Sequence, residues 1–282
     1  MTLFRYGSYA IHSCGMNSTT ARQRDIIGVE TRFGPDDLAA LNARFASGDA
    51  EAVLRAVLVE QVTGRAALVS SFGAESAVLL HLASRIDKDV PVLFVDTGKH
   101  FAETLAYRDR LVEHLGLTNL QILSPDSDDL ARRDDSGLRW SYDPDGCCEM
   151  RKVIPLSRAL GSFDASITGR KAFQSVTRTD LPVFEPDQMD MAGRLKVNPL
   201  IGWSKEDIEA WLVLHALPRH PLVDQGYPSI GCSPCTGKVT PGDDPRSGRW
   251  RGWDKVECGI HAIRTDSTNN EQDLPPGFEP VF

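Results

Sequence analysis

Five of the six cysteines in this sequence fall into arrangements that could do chemistry. Cys147 and Cys148 are adjacent, and Cys232 and Cys235 bracket Ser233 and Pro234 in a CxxC turn. Adjacent cysteines rarely serve ordinary packing, and a CxxC turn aims two thiolates at one centre. Four soft thiolates suit zinc or an iron–sulfur cluster. Zinc ligands are usually spaced more widely than an adjacent pair, which tilts the choice toward a cluster without deciding it. The alternative is four unrelated buried thiols. The CxxC alone could be a redox pair of the thioredoxin type, but it does not follow the first strand of such a unit. Lys152 lies one helical turn beyond Cys148, where its ammonium could offset the charge of a thiolate-ligated centre; an exposed helix lysine is the plainer reading.

The fifth cysteine, Cys258, stands in Glu257-Cys258-Gly259-Ile260-His261, after a stretch holding Lys238, Arg246, Arg249, Arg251 and Lys255. Neighbouring cations favour the thiolate, which is the reactive form. Cys258 therefore reads as a nucleophile on a movable flap. His261 could assist with protons, although a lone histidine is more often structural. Cys14 has no comparable company and receives no role.

An alternation of strands and helices must position these groups. Helical patterns cover Pro35–Ala46 and Asp49–Gln61. Ala66–Ser70 and Val90–Asp96 read as buried strands, each followed by a helix, Ala74–Ile86 and Phe101–Leu115. Leu120–Leu123, Ala165–Thr168 and Leu195–Pro199 read as further strands. Ser204 is a good N-cap for a helix over Lys205–His215. This order predicts an α/β fold, a parallel sheet covered on both faces. Three segments are expected: a peripheral 1–34, an α/β nucleotide-binding domain 35–230, and an excursion with a catalytic tail, 231–282.

Ligands of such sheets sit beyond the carboxyl ends of the strands, and three of these ends are chemically loaded. Ser70, Ser71, Phe72, Gly73, Glu75 and Ser76 lie between the first strand and a helix N-terminus, which offers free N–H groups to an anion. Asp96, Thr97 and Gly98 follow the second strand and could bond a nucleoside's sugar or base. Arg170 and Lys171, with Gln174, Ser175 and Arg178 after them, could hold phosphate or sulfate. Each turn alone is equally well read as a plain turn or surface charge; together they strengthen one another. There is no GxxxxGK(S/T) loop and no GxGxxG fingerprint, which disfavours ordinary nucleotide hydrolases and dinucleotide enzymes.

The bulk properties agree. The 282 residues are 41% hydrophobic and 25% charged, with a formal net charge of −8. That charge counts against a generic nucleic-acid binder. No apolar run approaches a membrane span, and no secretory signal is visible, so a cytoplasmic protein is expected. Homo-oligomerisation is left open.

Taken together, from about Leu68 to His261, the sequence resembles the sulfonucleotide reductases, the adenylyl-sulfate (APS) reductases and their phosphoadenylyl-sulfate (PAPS) relatives. Ser71-Phe72-Gly73-Ala74-Glu75-Ser76 looks like that family's variant of the pyrophosphatase loop, and Asp96-Thr97-Gly98 like its second nucleotide turn. Cys147, Cys148, Cys232 and Cys235 match the cluster ligands of the APS-specific branch, and Lys152 the lysine paired with that cluster. Arg246 and Arg249 resemble arginines that hold the substrate's anionic end. Glu257 to His261 matches the tail motif usually written ECGLH, with Ile for Leu. Arg170 and Lys171 match a basic pair more loosely, because Ala172 and Phe173 differ from common versions.

The resemblance implies an adenine nucleotide α-hydrolase-like fold with a C-terminal catalytic tail, a 4Fe–4S cluster, and thioredoxin as reductant in assimilatory sulfate reduction. It also implies attack of the Cys258 thiolate on APS, with an S-sulfocysteine intermediate. Three rivals are a PAPS or dual-specificity reductase, an iron–sulfur tRNA-thiolating enzyme and a zinc-binding interaction module. The cluster-type cysteines favour APS over PAPS, and Ser71-Phe72-Gly73 fits poorly the Ser-Gly-Gly typical of the tRNA enzymes.

Overall fold

Six short strands, Ala66–Val69 (β1), Val92–Val95 (β2), Leu120–Leu123 (β3), Ala165–Ile167 (β4), Phe184–Pro186 (β5) and Leu195–Val197 (β6), form one sheet in the order β3-β2-β1-β4-β6-β5. The computed structural model describes residues 32–188, 190, 193–253, 255, 257 and 259–261. Cys14, Cys258 and the expected peripheral segment up to residue 31 lie outside the described residues. All strand pairs are parallel except β5 against β6. The register sets Leu68 beside Val92 on one side and beside Ile167 on the other, so the carboxyl ends of β1, β2 and β4 lie on the same edge of the sheet, with β2 running two residues beyond β1 and β4 stopping one residue short of it.

Side chains alternate across the strands, and the two faces have different covers. Leu68, Val92, Phe94, Ile167 and Val197 face the larger core. There they meet α2 (Ala50–Leu58), α3 (Ser76–Ile86), α4 (Ala102–Leu115) and α8 (Lys205–Leu214), through buried residues such as Leu54, Leu80, Leu111 and Ile208. Ala67 and Leu93 face a smaller cluster with Leu156 and Leu160 of α7 (Ile154–Leu160), and Ile260 of the tail packs against it.

The helices begin where their caps dictate. Asp49 accepts the N–H groups of Glu51 and Ala52 ahead of α2. Ser204 and Asp207 form a reciprocal capping box on α8. α1 (Pro35–Arg44) carries its proline in the first turn, where a missing N–H is tolerated. The expected strands and helices are all present, shortened by a few residues at their ends.

Three features depart from the expectation. A short helix, α5 (Ser127–Arg133), follows β3, capped by Asp126. A helical run from α6 (Pro144–Cys148) through a π-helical turn (Glu149–Val153) into α7 carries both adjacent cysteines and Lys152. Pro155 has no N–H to give and its ring opposes the carbonyl four residues back, at Arg151, inside the widened turn. β5 is the third, an antiparallel edge strand ending in Pro186, a residue tolerated only where no inner ladder needs its N–H. Among the described residues no helix is long and apolar enough to cross a membrane.

Candidate active site

The strand order reverses between β1 and β4, with β2 and β3 built outward on one side and β6 and β5 on the other. At such a switch point the turns leaving adjacent strands part and open a crevice. A cleft of about 520 Å³ lies there, lined by the turns after β1 and β4 and walled by Lys152, Arg178, Arg246, Arg249, Trp250 and Glu257.

The turn after β1 is held from below. Phe72 sits at φ 50°, a conformation that costs a non-glycine residue roughly 1 kcal/mol or more. Its ring is fully buried and meets Phe94 edge-on at 5.5 Å, while its N–H donates to Ser70 Oγ at 3.2 Å. Phe72 therefore anchors the turn in the core rather than facing the cleft. Ser70, Ser71, Gly73, Glu75 and Ser76 do line it, ahead of the N-terminus of α3.

The turn after β2 is divided. Thr97 lines the cleft, whereas Asp96 and Gly98 are not among its lining residues. Asp96 accepts the Gly98 N–H at 2.9 Å, and Gly98 has φ 66°, so this pair shapes the turn. The Thr97 carbonyl accepts from Arg151, whose guanidinium also forms a buried ion pair with Asp134 at 2.6 Å. His100, at the end of the turn, lines the cleft, and burial pushes its pKa down.

After β4 the basic residues are already paired. Arg170 donates to Thr168 at 3.3 Å, to Asn198 at 3.1 Å and to Glu185 of β5. Burial lowers its pKa to about 10. Lys171 Nζ bonds Glu75 at 2.8 Å and the Gly169 carbonyl at 2.9 Å, and burial lowers its pKa too. Gln174 also donates to Glu75, at 2.8 Å, tying the β4 turn to the β1 turn.

The opposite wall comes from the excursion after residue 230. Trp250 is buried and lies against three cations, with Arg249 at 4.4 Å, Arg246 at 5.8 Å and Lys255 at 5.9 Å from its ring. The ring's negative face steadies these charges. Arg249 Nε is buried without a hydrogen-bond partner, and its guanidinium lies over Gly231, where a Cβ would stand 2.2 Å from Nη2. Arg246 and Arg249, both expected from the sequence, meet here.

Glu257 closes the wall. Both its oxygens accept from Arg178, from Nε at 2.8 Å and from Nη2 at 2.7 Å, and Thr177 and Arg246 add bonds of 3.2 and 3.3 Å. Burial alone would raise the Glu257 pKa, but Arg178 first and Arg246 after it hold the carboxyl below the usual range. His261 has its backbone in a 3-10 turn, Gly259–His261; its side chain lies outside what is described, as does Cys258.

The sulfur centre expected from the sequence is overturned. Among the described residues no group of three or more His, Cys, Asp or Glu side chains could hold a metal ion. The two cysteine pairs do become neighbours, close enough for Cys232 and Cys235 to act electrostatically on Cys147, and the CxxC segment docks on the β2 turn through the Ser233 N–H to Lys99 carbonyl bond at 2.8 Å. They do not form a ligand set. Cys147 and Cys148 are successive positions on α6, so their side chains leave the axis about 100° apart. Cys232 Sγ lies 3.3 Å from Thr97 Oγ1. Burial, chiefly, raises the thiol pKa values of Cys147 and Cys235, which favours the neutral form. The same finding overturns the expected 4Fe–4S cluster, the zinc alternative and the pairing of Lys152 with a cluster. Lys152 instead lines the cleft.

Sequence reasoning missed Trp250, Glu185 and the Glu257–Arg178 pair. Arg178 carried a signal, as a basic residue shortly after a loaded strand end. Trp250 and Glu185 carried none, because their partners are set only by the fold.

Comparison with known proteins gives a consistent result. Residues 65–238 match the family model of the phosphoadenosine phosphosulfate reductase domain. The chain is 53% identical over 195 residues to the adenosine 5′-phosphosulfate reductase of Mesorhizobium japonicum, covering 69% of this chain and 75% of that one. It is 47% identical over 231 residues to the corresponding reductase of a Chelativorans species, covering 82% and 93%. It is also 41% identical over 213 residues to the phosphoadenosine 5′-phosphosulfate reductase of Gloeobacter violaceus, covering 73% and 88%. Among solved structures, the PAPS reductase of Candida auris in its phosphate complex superposes with a TM-score of 0.62 at 26% identity, covering 73% of this chain and 98% of that one.

Proposed function

Because this chain belongs to the phosphoadenosine phosphosulfate reductase family, we propose that it reduces adenosine 5′-phosphosulfate to sulfite and AMP through a cysteine thiolate. It is an oxidoreductase of the APS-reductase type, acting in sulfate assimilation, and its fold is that of the family. The observation that carries the reading is the cationic cleft at the switch point, with Glu257, the covalent neighbour of Cys258, seated in its wall.

In this reading the nucleotide lies over Ser70–Ser76 and Thr97, and the phosphosulfate points toward Lys152, Arg246 and Arg249. The Cys258 thiolate attacks the sulfur of the sulfuryl group. The bond from that sulfur to the bridging phosphate oxygen breaks, AMP leaves with the electron pair, and S-sulfocysteine remains. Fixed cations around a developing anion stabilise the transition state without reorganising. A dithiol protein, thioredoxin in our proposal, then attacks Cys258 Sγ. The S–S bond breaks, sulfite leaves with its electrons, and the second thiol resolves the mixed disulfide, so the dithiol supplies both electrons. His261 would assist with protons. We propose residues 35–230 as the nucleotide-binding domain and 231–282 as the excursion and catalytic tail.

The preference for APS over PAPS is supported by the 53% and 47% identity to adenosine 5′-phosphosulfate reductases. The test is incubation with sulfur-labelled APS and no reductant. Label on Cys258, released as sulfite by reduced thioredoxin and absent from C258S, supports the proposal. Wild-type protein that retains no label on Cys258 refutes it. A parallel incubation with labelled PAPS reads the selectivity.

A further inference from the structure

We infer that Glu257 is a positioning residue, docking the tail through Arg178 and so fixing where residue 258 meets the cleft. The inference rests on the functional reading above, in which Cys258 is the nucleophile.

The contact joins residues 79 apart in sequence and is fork to fork, with Nε and Nη2 of Arg178 on the two carboxylate oxygens at 2.8 and 2.7 Å. Both side chains are mostly buried, at 8% and 12% exposure, so solvent screens the pair weakly. Paired charge-assisted bonds of this kind fix direction as well as distance.

Arg178 is itself aimed from behind. Its remaining nitrogen, Nη1, donates to Gln174 Oε1 at 2.6 Å, and Gln174 in turn holds Glu75, which pairs with Lys171. All three guanidinium nitrogens therefore already serve protein acceptors. That assigns Arg178 to holding the tail. Arg246, by contrast, gives Glu257 one bond of 3.3 Å and stands against Trp250.

The tail is held again just past residue 258. Ile260 packs on the smaller core, and its carbonyl accepts from Lys196 at 3.4 Å. Gly259 lies so close to the π turn that a Cβ would stand 3.3 Å from Val153. Glu257 before position 258 and Gly259 with Ile260 after it, the described residues on either side, are thus both anchored, and successive Cα atoms are only about 3.8 Å apart. Releasing Glu257 moves the nearest anchor on that side back to Lys255, which pairs with Asp145, and so lengthens the tether by two residues. A reacting atom misplaced by about 1 Å can cost two orders of magnitude in rate.

The experiment is rapid-quench formation of the labelled Cys258 adduct from APS without reductant, in wild type, E257Q and R178K, alongside calorimetric AMP affinity. E257Q keeps the shape and removes the charge; R178K keeps the charge and removes the fork. Both variants are expected to lower the maximal adduct rate at least about tenfold, with AMP affinity within about twofold of wild type. An adduct rate equal to wild type overturns the inference, as does a loss of AMP affinity matching the loss of rate, which would place Glu257 in the nucleotide site instead. Both outcomes leave the functional proposal standing, because it fails only if the wild-type protein itself forms no adduct, and then the inference falls with it.

Discussion

Arg170, in the turn after β4, and Glu185, on the edge strand β5, form an ion pair buried at the rim of the cleft. Thr168 and Asn198 share the same guanidinium, and Asn198 also donates to Glu185 at 2.9 Å. A basic residue that the sequence offers as a ligand for substrate is therefore engaged by the protein, and its work includes fixing the β4 turn.

Removing one partner from such a pair leaves a buried charge uncompensated. E185A is expected to destabilise the fold by about 3 kcal/mol. Urea unfolding should show a lower midpoint with an unchanged slope. A midpoint equal to wild type would mean that the guanidinium finds water or another acceptor.

The same residue shows what the sequence could reveal. Short continuous apolar runs closed by Ser70, Asp96 and Thr168 are local signals, so the strands and their loaded ends were legible. Whether a charge at such an end is free is not local. Glu185 reaches Arg170 only because an antiparallel strand forms at the edge, and a three-residue strand ending in proline has little periodicity to detect. The cysteines mark the same limit. Their types and grouping imply a shared centre, whereas the directions of Cys147 and Cys148 on α6 follow from the backbone. Glu257 was visible as part of a motif, but its bond to Arg178 required the tail to be docked.

Acid stability should carry the signature of a buried histidine. His220 is fully buried, lies against Tyr107 with ring centroids 4.8 Å apart and planes tilted by 56°, accepts the Leu222 N–H on Nδ1 at 3.2 Å and bonds Thr104 through Nε2 at 3.0 Å. Burial lowers its pKa to about 4. Because the folded pKa lies below the unfolded one, near 6.5, the unfolded chain takes up the proton first as pH falls. Stability is full above pH 6.5 and declines between about 6.5 and 4, by up to about 1.4 kcal/mol per pH unit from this group. Urea midpoints across that window should fall, and H220Q should flatten the slope while lowering stability at pH 7. An unchanged slope in H220Q would assign the acid sensitivity elsewhere, with His81, lowered to about 4 mainly by burial, the next group to replace.

Trp250 should matter for binding through its ring face. W250L keeps an apolar side chain but removes the face shared by Arg246, Arg249 and Lys255. A cation over an aromatic face is worth about 1 kcal/mol when partly desolvated. The KM for APS is expected to rise roughly fivefold or more, with a smaller change in kcat. W250F, which keeps a ring, should recover much of the loss. Equal KM values for W250L and W250F would show that the ring face contributes nothing.

Gly231 separates a packing effect from a fold effect more cleanly. It has an ordinary negative φ, so alanine brings no backbone strain. The three atoms nearest the added Cβ all belong to the far end of Arg249, at 2.2 Å for Nη2, 2.6 Å for Cζ and 3.1 Å for Nη1. A long side chain can swing aside at little cost to stability, but it then leaves its place over Gly231 at the cleft wall. G231A should therefore unfold near the wild-type midpoint while its KM for APS rises by about tenfold, the scale of one charge-assisted hydrogen bond. R249A should show a similar KM, and the double variant G231A/R249A should be no worse than R249A alone, because the glycine acts only through the arginine. Additive losses in the double variant would show that Gly231 contributes to the cleft independently of Arg249.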